Sequence, residues 1–128
     1  MKKTSHADFE KFKEYTRQYI DKFGLIEYEL YFVHGCPDDN SDFSDALSEI
    51  STLVEGKAAT FYLNTDWTDA LDKICDETLK RIALHEVLHL LLAEYWYYAS
   101  SRFGVSKTVL GTVEHTIVRR LENFILGV

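Results

Sequence analysis

An α+β domain is predicted by three features of the chain. Phe9, Phe12, Tyr19 and Phe23 recur at helical spacing, Tyr28, Leu30 and Phe32 alternate, and two further helical stretches occupy the second half. Helices repeat every 3.6 residues and strands every two, so a change of period marks a change of element.

Each element follows from its residues. Ser5 with Asp8 three positions on resembles a capping box. Phe9, Phe12, Thr16, Tyr19, Ile20 and Phe23 follow at helical spacing, and Gly24 is a stop signal, so a helix is expected over about residues 7–23. Over 25–33 the period becomes two, with Ile26, Tyr28, Leu30 and Phe32 on one face and Glu27, Glu29 and Tyr31 opposite: a strand with one wet face. Gly35, Pro37 and Asp38-Asp39-Asn40-Ser41 make 34–44 a loop. Residues 45–54 fit two patterns, Phe43, Leu47, Ile50 and Val54 as a helical stripe, or Ala46, Ser48, Ile50, Thr52 and Val54 as a strand. The turn Glu55-Gly56-Lys57 and the strand-like 58–64 favour a hairpin. Residues 64–69 read as a turn with several candidate helix caps. Helical periodicity then runs over about 70–99, with Asp76-Glu77 as a candidate break. A loop at 100–106 contains Gly104, and a last helix covers about 107–126 with Val113, Ile117, Leu121 and Phe124 as its core stripe.

Composition bounds what such a domain can do. A chain of 128 residues, 46% of them apolar, is a single domain (1–128) able to bury a core without disulfide staples. A net charge of −7 and a pI near 5.1 oppose a nucleic-acid footprint, which needs a basic face. Cys36 and Cys75 form neither a disulfide framework nor a C-x-x-C pair. No apolar run follows Met1-Lys2-Lys3, and none approaches membrane-spanning length. The expectation is a soluble cytoplasmic protein with no membrane or nucleic-acid partner.

The chemistry lies in His85-Glu86-Val87-Leu88-His89, an H-E-x-x-H pattern within a helical stretch. Helical residues four apart sit about 40° apart in azimuth and about 6 Å along the axis, so two imidazoles can converge on one tetrahedral zinc. Glu86 flanks that face as a general base. Leu84, Leu88, Leu91, Leu92 and Tyr95 form an apolar face to pack on a sheet, and the small Ala93 leaves space beside the histidines. A zinc site of this kind takes a third protein ligand and keeps the fourth position open. Glu114 and His115, in the last helix, are the candidates. Glu114 adjoins the expected core stripe, and an inward carboxylate needs a partner, so it is preferred, with His115 as the alternative.

His-Glu-x-x-His followed by a glutamate on a second helix resembles the gluzincin branch of the zincin metallopeptidases. Arg81 to Glu94 and Glu114 to Asn123 together look like the pattern of small metallopeptidase-like proteins of phages and bacteria. The likeness covers about half the chain. It implies one zinc held by His85, His89 and Glu114, with Glu86 as general base, in a minimal zincin fold of small twisted sheet and active-site helix. The chain lacks the cysteine-rich ribbon, helix-turn-helix or Met-turn of more elaborate relatives.

The expected activity is hydrolysis of a peptide or protein substrate. Zinc would lower the pKa of a bound water, and Glu86 would accept its proton and pass it to the leaving amine. Tyr95, Tyr97, Tyr98, His115 and Arg119 are candidates to stabilise the oxyanion. A strand at 60–64 is expected to be the sheet edge that takes extended peptide, making Tyr62 and Asn64 candidate contacts. The rival expectations are a catalytically silent zinc-bound interaction module and a closed structural zinc site with His115 as an added ligand. His34-Gly35-Cys36 and the acidic 38–45 stretch read as loop chemistry rather than metal sites, and Cys75 as a small buried residue.

Overall fold

The computed structural model describes residues 2–35, 46–100 and 107–127. The architecture is α+β: α1 (His6–Lys22), β1 (Glu29–His34), β2 (Ser48–Leu53), β3 (Ala58–Leu63), α2 (Asp76–Leu91), α3 (Ala93–Ser100) and α4 (Lys107–Leu126).

The N-terminal helix forms as its sequence demands. The Ser5 hydroxyl accepts from the Asp8 amide at 3.1 Å, and the Asp8 carboxylate accepts from the Ser5 amide at 2.8 Å. Two amides that would otherwise lack partners are thereby satisfied. Phe9, Phe12, Thr16, Tyr19 and Ile20 are buried on one stripe, and the Thr16 hydroxyl donates to the Phe12 carbonyl at 2.8 Å. Gly24, at φ +70°, makes the exit turn.

The first strand starts later than the alternation suggested. Leu25 and Tyr28 are both buried and are joined by a turn hydrogen bond, while Ile26 is 77% exposed. A spacing of three carries both inward residues through a turn, so Ile26 does not share the face of Tyr28. Within β1, Leu30 and Phe32 pack on the core and Tyr31 and Val33 face outward.

Within the ambiguous 45–54 stretch, β2 (Ser48–Leu53) is the first arm of a hairpin, and residue 45 lies outside the described residues. The sheet order is β1-β3-β2, with β1 parallel and β2 antiparallel to β3. Thus β3 is the central strand, bonded on both sides, and the peptide-accepting edge expected at 60–64 is not there. Among the described residues, the outer edges of β1 and β2 pair with no further strand. Ala59, Phe61 and Leu63 of β3 are buried, and Ile50 of β2 pairs with Phe61.

The long helical stretch is shorter at its start and interrupted near its end. An isolated antiparallel bridge between Lys3 and Asp66 pins 65–67 to the N-terminal segment: the Thr4 amide donates to Thr65 O at 2.9 Å and the Trp67 amide to Lys2 O at 2.8 Å. Trp67 is buried, so this segment is committed before a helix can begin, and α2 starts at Asp76 after the N-cap Cys75. Asp76 and Glu77 in its first turn complement the helix dipole. At Leu92 the axis breaks and α3 follows. Leu79, Ala83, Leu84, Val87 and Leu88 of α2 are fully buried and pack with α1 and the sheet, whereas Leu91 and Tyr95 are exposed.

The last helix has the expected bounds and a different inner face. Leu110, Val118 and Glu122 are buried, Leu121 packs against the core, and Phe124 is 86% exposed. The Val113 side chain lies outside the described residues. Residues 110, 114, 118 and 122 therefore form the inward stripe, two of them carboxylates, and α4 lies against α2 and α3. Among the described residues no helix is long and apolar enough to cross a membrane.

Phe61, fully buried in the central strand, stacks on Phe32 of β1 and pairs with Ile50 of β2. Phe61→Ala is expected to lower stability by about 3–5 kcal/mol in urea unfolding. Leu71→Ala, at a fully exposed position, is expected to change it by less than about 0.5 kcal/mol.

Candidate metal centre

One stripe of α2 carries Arg81, His85 and His89 at successive four-residue steps, and α4 runs past it antiparallel. The Glu122 carboxylate accepts from Arg81 Nη1 at 2.9 Å through Oε1 and lies 2.9 Å from His85 Nδ1 through Oε2. Two turns back along α4, Glu114 Oε2 is 3.4 Å from His89 Nδ1. On the other edge of the two rings, His85 Nε2 and His89 Nε2 are 3.1 Å apart.

His115 completes the group. Its ring centroid lies 5.2 Å from that of His85 and 5.1 Å from that of His89. Ligand atoms of His85, His89 and His115 all lie within 4.8 Å of one another, close enough to bind one metal ion. Among the described residues this is the cluster with that property. Glu114, expected as third ligand, stands outside it, on the Nδ1 side of His89.

The donor set fits a metal. Were each Nδ1 to donate to the carboxylate it faces, the two Nε2 atoms, 3.1 Å apart, would turn lone pairs on each other, and a proton or a cation between them would relieve that contact. Tetrahedral zinc with Zn–N bonds of about 2.0–2.1 Å sets ligand nitrogens about 3.3 Å apart, near the observed spacing. A tetrahedral ion held by three imidazoles would keep a fourth position for another donor, and His85, His89 and His115 also line a cleft.

That cleft, about 1040 Å3 in volume, opens between α2, α4 and the edge strand β2. Ser48, Ile50, Thr52 and Glu49 line it from β2, and Ala93, Trp96, Tyr97 and Arg119 from the helices. The Ser48 hydroxyl donates to Glu86 Oε2 at 2.6 Å. Glu86 is buried, and Ser48 was not a sequence candidate for any role. Glu122 and Glu49 were also missed. The signal for Glu122 was present, two turns on from Glu114 and within reach of Arg81. Of the expected oxyanion donors, Tyr97, His115 and Arg119 line the cleft; the Tyr98 side chain lies outside the described residues.

Burial and charge set the protonation of these groups. Burial pushes the Glu86 carboxyl up, against the opposing pull of His85, the Ser48 hydrogen bond and His89. For His85, burial opposes protonation, but the Glu122 hydrogen bond and the Glu86 and Glu122 charges outweigh it and hold the ring above its ordinary value. Burial would raise Glu122, yet its bonds to His85 and Arg81 win and lower it. Burial and the neighbouring His89, His85 and Arg119 charges lower His115.

Several other expectations resolve as structure. Asn64 is a turn anchor, donating to Ala46 O at 2.8 Å and accepting from the Asp66 amide at 3.1 Å. Neither Asn64 nor Tyr62 lines the cleft. His34 Nε2 is 2.8 Å from the Thr4 hydroxyl, and its ring stacks on Phe9, so it ties the N-terminal segment to β1. Cys36 and the acidic 38–45 stretch lie outside the described residues. Cys75 is half-buried as the N-cap of α2.

No family model, curated protein or solved structure matches this chain.

Glu49 offers a test of the cleft's electrostatics that is independent of metal. Burial pushes its carboxyl up, the Glu86 charge adds to that, and its buried Oε2 has no hydrogen-bond partner among the described residues. The folded state thus holds this proton more tightly than the unfolded chain does. Ionising Glu49 costs stability as pH rises above the ordinary value of 4.5, and the cost vanishes below it. Glu49→Gln is expected to raise Tm at about pH 7, with the gain shrinking toward about pH 4, in thermal melts of the metal-free protein.

Proposed function

We propose that this chain is a zinc-dependent metallopeptidase that hydrolyses a peptide bond with Glu86 as general base. The observation that carries the proposal is the convergence of His85, His89 and His115 beside a buried Glu86, at the mouth of a cleft walled by an edge strand. The His-Glu-x-x-His pattern and its resemblance to zincins support the same reading. In it, the third ligand is His115 rather than Glu114, because Glu114 stands behind His89.

Zinc bound there would supply a Lewis acid for the scissile carbonyl and acidify a water toward neutrality. The rest falls to the chain's own groups. Ser48 fixes Oε2 of Glu86, leaving Oε1 to take a proton from the attacking water as the new C–O bond forms. Glu86 then delivers that proton to the amine nitrogen as the C–N bond breaks. Arg119 borders the cleft on the α4 side, where a positive donor can meet the developing oxyanion. The outer edge of β2 pairs with no other strand among the described residues, so its backbone offers hydrogen bonds to an extended peptide. The substrate is therefore a peptide or an unfolded protein segment. The bacterial and phage resemblance assigns the activity to the cytoplasm as part of the same proposal.

A silent zinc-binding module is favoured by one observation, the burial of Glu86, which opposes the ionised form a base requires. Metal analysis and peptide cleavage separate the two. The peptidase is expected to retain one zinc per chain and to cleave members of a fluorogenic peptide library. Glu86→Gln is expected to keep the zinc and lose at least about 100-fold in rate. Zinc retention with no cleavage by the parent would support the module, and a parent that binds no zinc after reconstitution would contradict both.

A further inference from the structure

We propose that Glu114 and Glu122 are a matched pair of positioning residues, one behind each histidine of the H-E-x-x-H pattern, with Glu122 itself fixed by Arg81. The inference rests on the zinc reading above and assigns each carboxylate a place outside the ligand set.

The register of the two helices carries it. On α2, residues 81, 85 and 89 follow one another at four-residue steps, and on the antiparallel α4 so do 114, 118 and 122. Arg81 and His85 both meet Glu122, His89 meets Glu114, and the fully buried Val118 fills the step between the carboxylates. The two histidine–carboxylate contacts are thus one turn apart on α2 and two turns apart on α4.

Valence argues the same way. Both oxygens of Glu122 are engaged, Oε1 by Arg81 and Oε2 by His85, and its side chain is 8% exposed. Glu122 is not among the ligand atoms that lie within 4.8 Å of one another. Glu114, 12% exposed, approaches His89 at Nδ1. The two nitrogens of an imidazole point their in-plane orbitals well apart, so a carboxylate at Nδ1 does not also face the ion that Nε2 faces. Charges this deep need a partner, and the Nδ1–H groups supply it. A carboxylate that accepts from Nδ1 fixes the tautomer and ring plane, and it makes Nε2 the better donor to a metal. The two arms differ in strength, since Glu122 stands at 2.9 Å and Glu114 at 3.4 Å.

Two measurements on the full chain test the pair. In the metal-free protein, long-range proton–nitrogen NMR of the imidazole rings is expected to find both His85 and His89 with the proton on Nδ1. Glu122→Gln, whose fold is checked by its melting curve, is expected to mix the His85 tautomers and leave His89 unchanged. Glu114→Gln is expected to do the reverse. Zinc titration in competition with a chromophoric chelator is the second readout. Glu122→Gln is expected to weaken zinc about 10–100-fold, and Glu114→Gln by about 10-fold or less. His115→Ala is expected to weaken it more than either.

The proposal is overturned if the parent carries the His85 proton on Nε2, or if Glu122→Gln leaves both tautomer and zinc affinity unchanged. It is also overturned if Glu114→Gln abolishes zinc binding while His115→Ala does not, since Glu114 would then be a ligand. Should the parent bind no zinc at all, the peptidase reading fails, and the tautomers of the metal-free rings still decide the positioning roles.

Discussion

The buried Glu122 carboxylate, shared by Arg81 and His85, is the interaction on which the rest of the site depends. Among the described apolar side chains of the last helix, Val118 and Leu110 are buried, and Leu121 and Leu126 pack against the core partly buried. Its seat against α2 is set by polar contacts as well as by packing. Removing one partner from a buried ion pair typically costs about 3–5 kcal/mol, because the other charge is stranded. His115 is carried by this helix. A shift of α4 by one turn would take His115 away from His85 and His89 and dissolve the three-imidazole cluster.

The opposite side of α2 explains why that helix can hold two histidines still. Leu79, Ala83, Leu84, Val87 and Leu88 are fully buried, so the helix cannot rotate without opening the core. Its remaining stripe faces the cleft with Arg81, His85 and His89, and Glu86 sits between the two environments. Because β3 takes the central place, β2 becomes the edge beside α2, and Ser48 reaches the Glu86 carboxylate. The general-base candidate is thus held by the sheet, and two of the candidate ligands by the helix that packs on it. Concentrating carboxylates here is costly: Glu86 and Glu49 are both pushed up by burial. Such a cost is common where side chains are arranged for chemistry rather than for stability.

Much of this was legible in the chain, for reasons that lie in particular residues. Ser5 and Asp8 announced α1 because a cap is a local interaction, and Phe9, Phe12 and Tyr19 marked its buried face. The bounds of α4, and the presence of a helix at His-Glu-x-x-His though not its ends, were readable for the same local reasons. The inner face of α4 was not. Val113, Ile117, Leu121 and Phe124 make the stronger apolar stripe, but the buried one carries Glu114 and Glu122, whose burial depends on partners 25 to 41 residues away in the chain. Periodicity weighs a carboxylate as solvent-facing, so the apolar stripe was read as the inner face, with Glu114 only beside it and Glu122 outside it. Likewise, nothing local in 58–64 distinguishes a central strand from an edge, because strand order is a long-range property. Ile26 fell on the wrong face because a turn was hidden inside what looked like alternation.

The central claim is that three imidazoles, two from α2 and one from α4, make one metal site. Zinc K-edge X-ray absorption on the reconstituted protein and on His115→Ala tests it most directly. The account predicts imidazole scattering from three rings at Zn–N distances of about 2.0–2.1 Å, reduced to two rings in the variant. Two rings in the parent, unchanged in His115→Ala, would contradict it and return the third position to a carboxylate.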